Sequence, residues 1–227
     1  MANRESVVLR DDYSALVGFR YFFYKNIIKV AFDFLVALPI MILSVPFYGL
    51  VKLAYVLTGD FDGIFYKQKR VGENGKVFTI YKIRTMVLDP DGRILAKILK
   101  DEKYKKEWHE LQKLTDDPSI TTLAKILRNT SLDELPQFLN ILKGQLALVG
   151  PRPLVPGELK KHRGDASIYE SVRPGLTGWW AVSGRSDLLY QKRLQLEYYY
   201  VNHFSMKLDL KILFKTVRVV LLKEGAR

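Results

Sequence analysis

The sequence predicts an α+β fold, mainly helical, built on a re-entrant membrane helix-break-helix with amphipathic interfacial helices and a small β-hairpin. Three observations carry that prediction. Residues 34–51 are an uninterrupted run of 18 uncharged, mostly apolar side chains broken by Pro39 and Pro46. Within residues 64–86 two β-prone runs flank Glu73-Asn74-Gly75, with apolar and polar positions alternating through Val77 to Ile83. Much of the remainder is charged sequence with helical spacing of its apolar residues and clear helix-start signals. The organisation expected is an N-terminal arm over 1–24, a membrane helical hairpin over 25–57, and a third domain over 58–227.

The elements follow in order. Residues 1–24 carry both signs of charge without a clear period and read as an arm, partly helical near 19–23. The apolar run that follows is at the lower limit of length for a membrane span. It begins too far inside the chain, and lacks the small-residue cleavage pattern, to be a cleavable signal peptide. Each proline removes a helix hydrogen bond, and Ser44 can satisfy a freed carbonyl, so a kink within hydrocarbon is expected. Lys25 and Lys29 precede the run, and Lys52, Lys67, Lys69 and Arg70 follow it, so positive charge favours neither direction of insertion. A helix that enters, bends and returns to the same face satisfies both observations. A buried core helix and a straight span are the alternatives.

The two β-prone runs flanking Glu73-Asn74-Gly75 read as a hairpin whose exposed side carries Lys67, Lys69, Arg70, Lys76, Lys82 and Arg84. By itself this is as compatible with a solvated basic face as with a binding site. Residues 91–114 read as a charged amphipathic scaffold helix, and 158–170 as a polar helix. Residues 173–187 are punctuated by Gly175, Gly178 and Gly184, suited to a backbone that approaches a ligand, and Arg185 follows as a phosphate candidate. Trp179 and Trp180 suit stacking, a membrane interface or the core. Lys207, Lys211, Lys215 and Arg218 fall on one stripe of a last helix over 208–222, which fits a membrane surface or a packed helix with solvated lysines.

The chemistry concentrates in residues 127–153. Ser131 and Glu134 form the S-x-x-E pattern of a capping box, opening a helix through Leu135, Phe138, Leu139 and Leu142 that ends near Gly144. Pro136 lies in the first turn, where its missing N–H costs little. Asp133 lies there too, where free N–H groups and the helix dipole stabilise a carboxylate and would attract a phosphate, which makes Asp133 a nucleophile candidate. A purely structural cap is the competing reading, in which Glu134 is not free to hold a metal. Arg128 precedes the pair, and Val149-Gly150-Pro151-Arg152-Pro153 would present Arg152 to a phosphate from a rigid turn. Carboxylates that can hold a cation beside arginines that hold anions suggest phosphoryl transfer.

Composition narrows the partners. With 36 Lys and Arg against 24 Asp and Glu the chain carries +12, which points to nucleic acid, acidic lipid or a phosphorylated metabolite. The absence of cysteine excludes disulfides, thiolate zinc sites and cysteine nucleophiles. His109, His162 and His203 are too scattered to suggest a ligand set. A non-catalytic basic protein binding anionic lipid or nucleic acid is the alternative function, and the apolar run counts against nucleic acid.

The stretch 127–153 resembles the signature of the monotopic bacterial polyprenyl-phosphate phosphoglycosyl transferases, LRxxSLDELPQ followed by an N-x-L-x-G segment and VGPRP. Leu127-Arg128, Ser131 to Gln137, Asn140, Gly144 and Val149 to Pro153 match in order; Gln145 and Ala147 depart, where an acidic residue and Ser are usual. Further matches are Lys29 and Asp33 of a K-R-x-x-D motif, with Val30 in place of Arg, and the hairpin residues Gln68, Arg70 to Gly72, Gly75, Phe78, Ile80 to Lys82 and Arg84 to Met86. Residues 116–128 and 173–185 match except at Ser119, Ala124 and Ala181. The resemblance implies a re-entrant hairpin in the bacterial inner membrane at its cytoplasmic face. It implies transfer of a sugar-1-phosphate from a UDP-sugar to undecaprenyl phosphate with release of UMP, in exopolysaccharide, O-antigen or related glycoconjugate synthesis. In that reaction Asp133 would be the nucleophile, Glu134 would hold Mg²⁺, and Lys82, Arg84, Arg128, Arg152 and Arg185 would hold phosphate oxygens. Membrane lipid is an expected partner and nucleic acid is not; a homodimer is the assembly considered.

Overall fold

A computed structural model describes residues 21–86, 120–184 and 188–221, with the isolated positions 18, 96, 100 and 104. Most of the N-terminal arm, all but three positions of the scaffold helix expected over 91–114, Ser119 and Arg185 lie outside the described residues. A π-helical turn, Tyr24–Ile28, runs without a break into α1, Lys29–Leu57. The hairpin strands are β1 (Phe65–Val71) and β2 (Val77–Ile83). After α2 (Thr122–Asn129) come a 3₁₀ turn (Leu132–Gln137), α3 (Phe138–Leu142) and β3 (Ala147–Val149). The one-turn helices α4 (Glu158–Lys161) and α5 (Ala166–Tyr169), then β4 (Gly175–Thr177), lead to α6 (Tyr190–Asn202) and α7 (Met206–Leu221). The described residues are thus mainly helical, with two small two-stranded sheets, β1 and β2 antiparallel and β3 and β4 parallel.

α1 is one continuous helix that keeps both prolines inside it. The Ser44 hydroxyl donates to the Met41 carbonyl (2.7 Å) and meets the Tyr48 hydroxyl at 2.9 Å. The carbonyl it takes is therefore not that of Ile42, which Pro46 leaves without its helical donor. Most of the helix surface is apolar and exposed, with Leu35, Ile42, Leu43, Leu50 and Leu57 all more than 60% accessible. It is long and apolar enough to cross a membrane. Yet both of its ends are tied to the same folded body. At the start, Lys29 pairs with Asp209, and Asp33 accepts from the Leu148 N–H (3.2 Å) and pairs with Arg173 (3.3 Å). At the end, Tyr48, Val51 and Tyr55 pack with Ile64, Ile83 and Leu127, and the Tyr55 hydroxyl donates to the Arg84 carbonyl.

The hairpin forms with the expected turn: Asn74 and Gly75 both have positive φ (56° and 72°). Its register pairs Arg70 with Phe78, Gln68 with Ile80 and Tyr66 with Lys82. Paired residues share a face and alternate residues oppose one another. Arg70 and Lys82 therefore lie on the same side as Phe78 and Ile80, toward the core, whereas Lys67 and Lys69 point away and are exposed. This corrects the expectation of a single exposed basic side: neighbouring residues of a strand face opposite ways, so Lys69 and Arg70 lie on opposite faces.

The core joins Ala37 of α1, Phe78 and Ile80 of β2, Phe138 and Ile141 of α3, Leu146, Leu148, Val149, Tyr200 and Ile212. Gly150, Gly175 and Gly178 meet one another rather than a ligand. A Cβ on Gly150 would lie 2.5 Å from the Arg173 carbonyl oxygen, and one on Gly175 would lie 2.0 Å from the Gly150 nitrogen. The parallel pairing of β3 and β4 depends on this backbone approach. The polar helix expected over 158–170 is two single turns, interrupted where Arg163 adopts positive φ (56°) before Gly164. α7 sets Lys211 and Lys215 over the Trp179 ring (5.2 and 4.8 Å) and leaves Phe214 and Val217 exposed beside them.

Candidate active site

Asp133 and Glu134 lie on the 3₁₀ turn Leu132–Gln137, not in the first turn of a capped α-helix. Ser131 has φ 57°, in the left-handed region, and its side chain caps nothing. The capping box is therefore absent, and the physical reason is tertiary. Glu134, which would have reached back to the cap, instead accepts a hydrogen bond from Lys82 Nζ (2.7 Å). Lys82 is delivered there by the strand period that also turns Phe78 and Ile80 inward, since β2 packs directly on this turn. The Leu132 and Leu135 side chains of the turn pack against Tyr48, Val51 and Tyr55 of α1, which seats the two carboxylates on the apolar helix.

Asp133 is buried, 9% exposed. Burial, and then the neighbouring Glu134 charge, push its carboxyl up to about 6, against the opposing pull of Lys82 and Arg128. Arg128, on the last turn of α2, donates from Nε to Thr85 Oγ1 (2.8 Å) and so stays within electrostatic reach of Asp133. The resulting group is a desolvated carboxylate, ionised at neutral pH, facing two cations. Such a group is suited to attack an electrophilic phosphorus whose oxygens those cations would hold.

The other expected residues are distributed around this centre. Arg84 was expected with Lys82 to face anions; in the structure its Nη2 donates to both carboxylate oxygens of Asp60 (2.8 and 2.7 Å). It also donates to the carbonyls of Gly63 (2.9 Å) and Met86 (3.2 Å). Arg84 thus fastens the segment after α1 to the end of β2. Arg152 follows β3, and its guanidinium lies over the Trp180 ring (5.4 Å) with Nε buried and without a hydrogen-bond partner among the described residues. His162 and His203 stack on Tyr190 and Tyr199 and belong to no metal-ligand group among the described residues.

Three contributors were not assigned from the sequence. Arg70 donates to the Pro153 carbonyl (3.0 Å), and its guanidinium feels both Arg152 and Glu134, so it bridges the VGPRP turn and the carboxylate turn. Its place two residues from Gln68 and opposite Phe78 on the hairpin was the available signal. Asn140, fully buried, donates to the Thr79 carbonyl (2.7 Å) and to Gln145 Oε1 (2.8 Å), and accepts from the Tyr81 N–H (3.3 Å). It locks α3 onto β2 and so fixes Lys82 against Glu134. Glu197, also fully buried, accepts from the Arg152 N–H (2.9 Å).

Among the described residues no three His, Cys, Asp or Glu side chains cluster as a metal site. Mg²⁺ commonly takes only one or two carboxylates and completes its shell with water and substrate phosphates. The adjacent Asp133 and Glu134, the latter about a third exposed, fit that donor set.

The bacterial sugar transferase family model matches residues 24–223. The chain is 40% identical over 202 residues to an undecaprenyl-phosphate galactose phosphotransferase of Salmonella typhimurium, a match covering 89% of this chain and 42% of that protein. It is 42% identical to the exopolysaccharide production protein ExoY of Sinorhizobium fredii, covering 88% of both. It is 33% identical to a UDP-glucose:undecaprenyl-phosphate glucose-1-phosphate transferase of Escherichia coli, covering 85% of this chain and 40% of that protein. The chain thus spans about two fifths of the Salmonella and Escherichia relatives and nearly all of the Sinorhizobium one. With the family match extending from the start of the apolar helix to the end of α7, through the carboxylate turn, the chain belongs to the bacterial sugar transferase family.

Proposed function

We propose that this chain transfers a sugar-1-phosphate from a UDP-sugar to undecaprenyl phosphate in two displacements at one phosphorus. In the first, an Asp133 carboxylate oxygen attacks the β-phosphorus; the bond to the oxygen bridging the two phosphates breaks, and UMP leaves with that electron pair. In the second, an oxygen of undecaprenyl phosphate attacks the aspartyl phospho-sugar, and the Asp133 carboxylate is released as undecaprenyl-diphosphate-sugar forms. Lys82, Arg128, Arg152 and Arg185 hold phosphate oxygens as charge builds. Glu134 holds Mg²⁺, which when bound neutralises the diphosphate and the departing UMP. The relatives named as phosphotransferases acting on undecaprenyl phosphate support this substrate pair.

The observation that carries the reading is the seat of Asp133. It is a buried carboxylate, raised in pKa and faced by Lys82 and Arg128, on a turn packed against an exposed apolar helix. A polyprenyl phosphate headgroup lies at a membrane surface, and a sugar nucleotide arrives from the cytosol; this seat serves both. α1 re-enters the cytoplasmic leaflet of the inner membrane rather than crossing it. That reading is supported by the attachment of both helix ends to one body, because a straight helix of 29 residues reaches about 43 Å at 1.5 Å per residue and would carry one end to the far side. α7 lies along the surface with Phe214 and Val217 toward lipid. The reaction starts assembly of a surface polysaccharide or glycoconjugate. The test is UMP release by the purified chain over a panel of UDP-sugars with undecaprenyl phosphate. Release with at least one sugar and dependence on Mg²⁺ is expected; no release with any of them would reject the function.

A further inference from the structure

We propose that Glu197 is a positioning residue for Arg152, an inference that rests on Arg152 holding substrate phosphate as argued above. Arg152 is bracketed by Pro151 and Pro153, so its N–H is the one main-chain donor in that tripeptide. Glu197 Oε1 accepts that N–H at 2.9 Å from α6, and the Tyr169 hydroxyl of α5 donates to the Arg152 carbonyl at 2.8 Å. Both main-chain groups of Arg152 are therefore held by side chains remote in sequence. Its guanidinium is left over Trp180, with the buried Nε unpartnered among the described residues.

Glu197 is an expensive way to hold a turn. It is fully buried, its Oε2 has no hydrogen-bond partner among the described residues, and burial pushes its carboxyl up to about 8 despite the Arg152 N–H, Arg193, the Arg152 side chain and Tyr169. At neutral pH the protonated form dominates, and a glutamine reproduces that form in shape and as an acceptor at Oε1. Arg193 from the same helix pairs with Glu158 (3.0 Å) and also lies over Trp180 (5.7 Å).

The experiment is a cycle of Glu197→Gln, Glu197→Ala, Arg152→Ala and the double variant Glu197→Ala/Arg152→Ala. It is read as kcat/KM for the UDP-sugar and as hydrogen exchange at the Arg152 amide in the full chain. Glu197→Gln should stay within about threefold of wild type, Glu197→Ala should fall about tenfold or more, and Glu197→Ala should change nothing further once Arg152 is alanine. The Arg152 amide should exchange faster in Glu197→Ala and at the wild-type rate in Glu197→Gln. An equal loss from Glu197→Ala in both backgrounds, or an unchanged Arg152 exchange rate, would overturn the inference. A wild-type chain that releases no UMP would instead remove the functional reading. In that case, or if Arg152→Ala turnover falls below detection, the Arg152 exchange rates decide the inference alone.

Discussion

Neutralising Asp133 should abolish transfer while making the protein more stable, and the size of that gain follows from its burial. The carboxyl moves from an ordinary value of 3.8 to about 6 in the fold. Because the folded value lies above the unfolded one, the contribution is fully present below about pH 4 and is lost as pH rises through about 6. The shift corresponds to about 3 kcal/mol, at about 1.4 kcal/mol per pH unit of displacement. Asparagine does not titrate and keeps much of the shape. Asp133→Asn should therefore exceed wild type by up to about 3 kcal/mol near pH 7.5, with the gap closing by about pH 4. For a chain of this length each kcal/mol is about 2–4 °C in melting temperature. The assay is thermal or urea unfolding of both proteins in the same detergent at several pH values. The same ionisation predicts that wild-type turnover rises with pH through about 6 and then levels. A stability gap that does not vary between pH 4 and 7.5, or a flat rate profile across pH 5–7, would refute a desolvated, ionising Asp133.

Three other predictions test the surroundings. Lys82→Gln removes the cation that most strongly lowers the Asp133 carboxyl and pairs Glu134, so the rising limb of the rate profile should move to higher pH; an unmoved limb would remove Lys82 from the site. Asn140→Ala deletes three hydrogen bonds at a fully buried position and should cost about 2–4 kcal/mol in unfolding, with reduced turnover because Lys82 loses its fixed strand; a cost under about 0.5 kcal/mol would contradict that anchoring. The chain has no cysteine, so Tyr21→Cys and Asp62→Cys can be labelled individually in sealed vesicles with a membrane-impermeant maleimide. Both should react from the cytoplasmic side, and reaction from opposite sides would establish a span.

The parts of this molecule legible in its sequence are those set by near neighbours. Glu73-Asn74-Gly75 required positive φ at two positions and produced the hairpin, and the apolar run produced a long exposed helix, but that helix is continuous through Pro39 and Pro46, where the sequence suggested a break. The parts that were not legible depend on distant partners. Ser131 and Glu134 satisfy a local capping pattern, but Lys82, 52 residues away, takes Glu134 and the turn tightens to 3₁₀. Arg84 looks like a binding cation until Asp60, 24 residues away, is brought against it. Glu197 hides in a polar helix, though Leu194, Glu197 and Tyr200 fall on one buried stripe at spacings of three, which marks it as an acid aimed inward. Gly150, Gly175 and Gly178 announced a close approach, and only the fold identified the partner as backbone.

The central claim is a transient bond between Asp133 and phosphorus. It is tested most directly by intact-protein and peptide mass spectrometry of the wild-type chain mixed with a turned-over UDP-sugar and no polyprenyl acceptor. The account predicts a mass gain of one sugar phosphate on the peptide bearing Asp133, discharged by adding undecaprenyl phosphate and absent from Asp133→Asn. UMP release without such an adduct, or an adduct mapped to another residue, would contradict it.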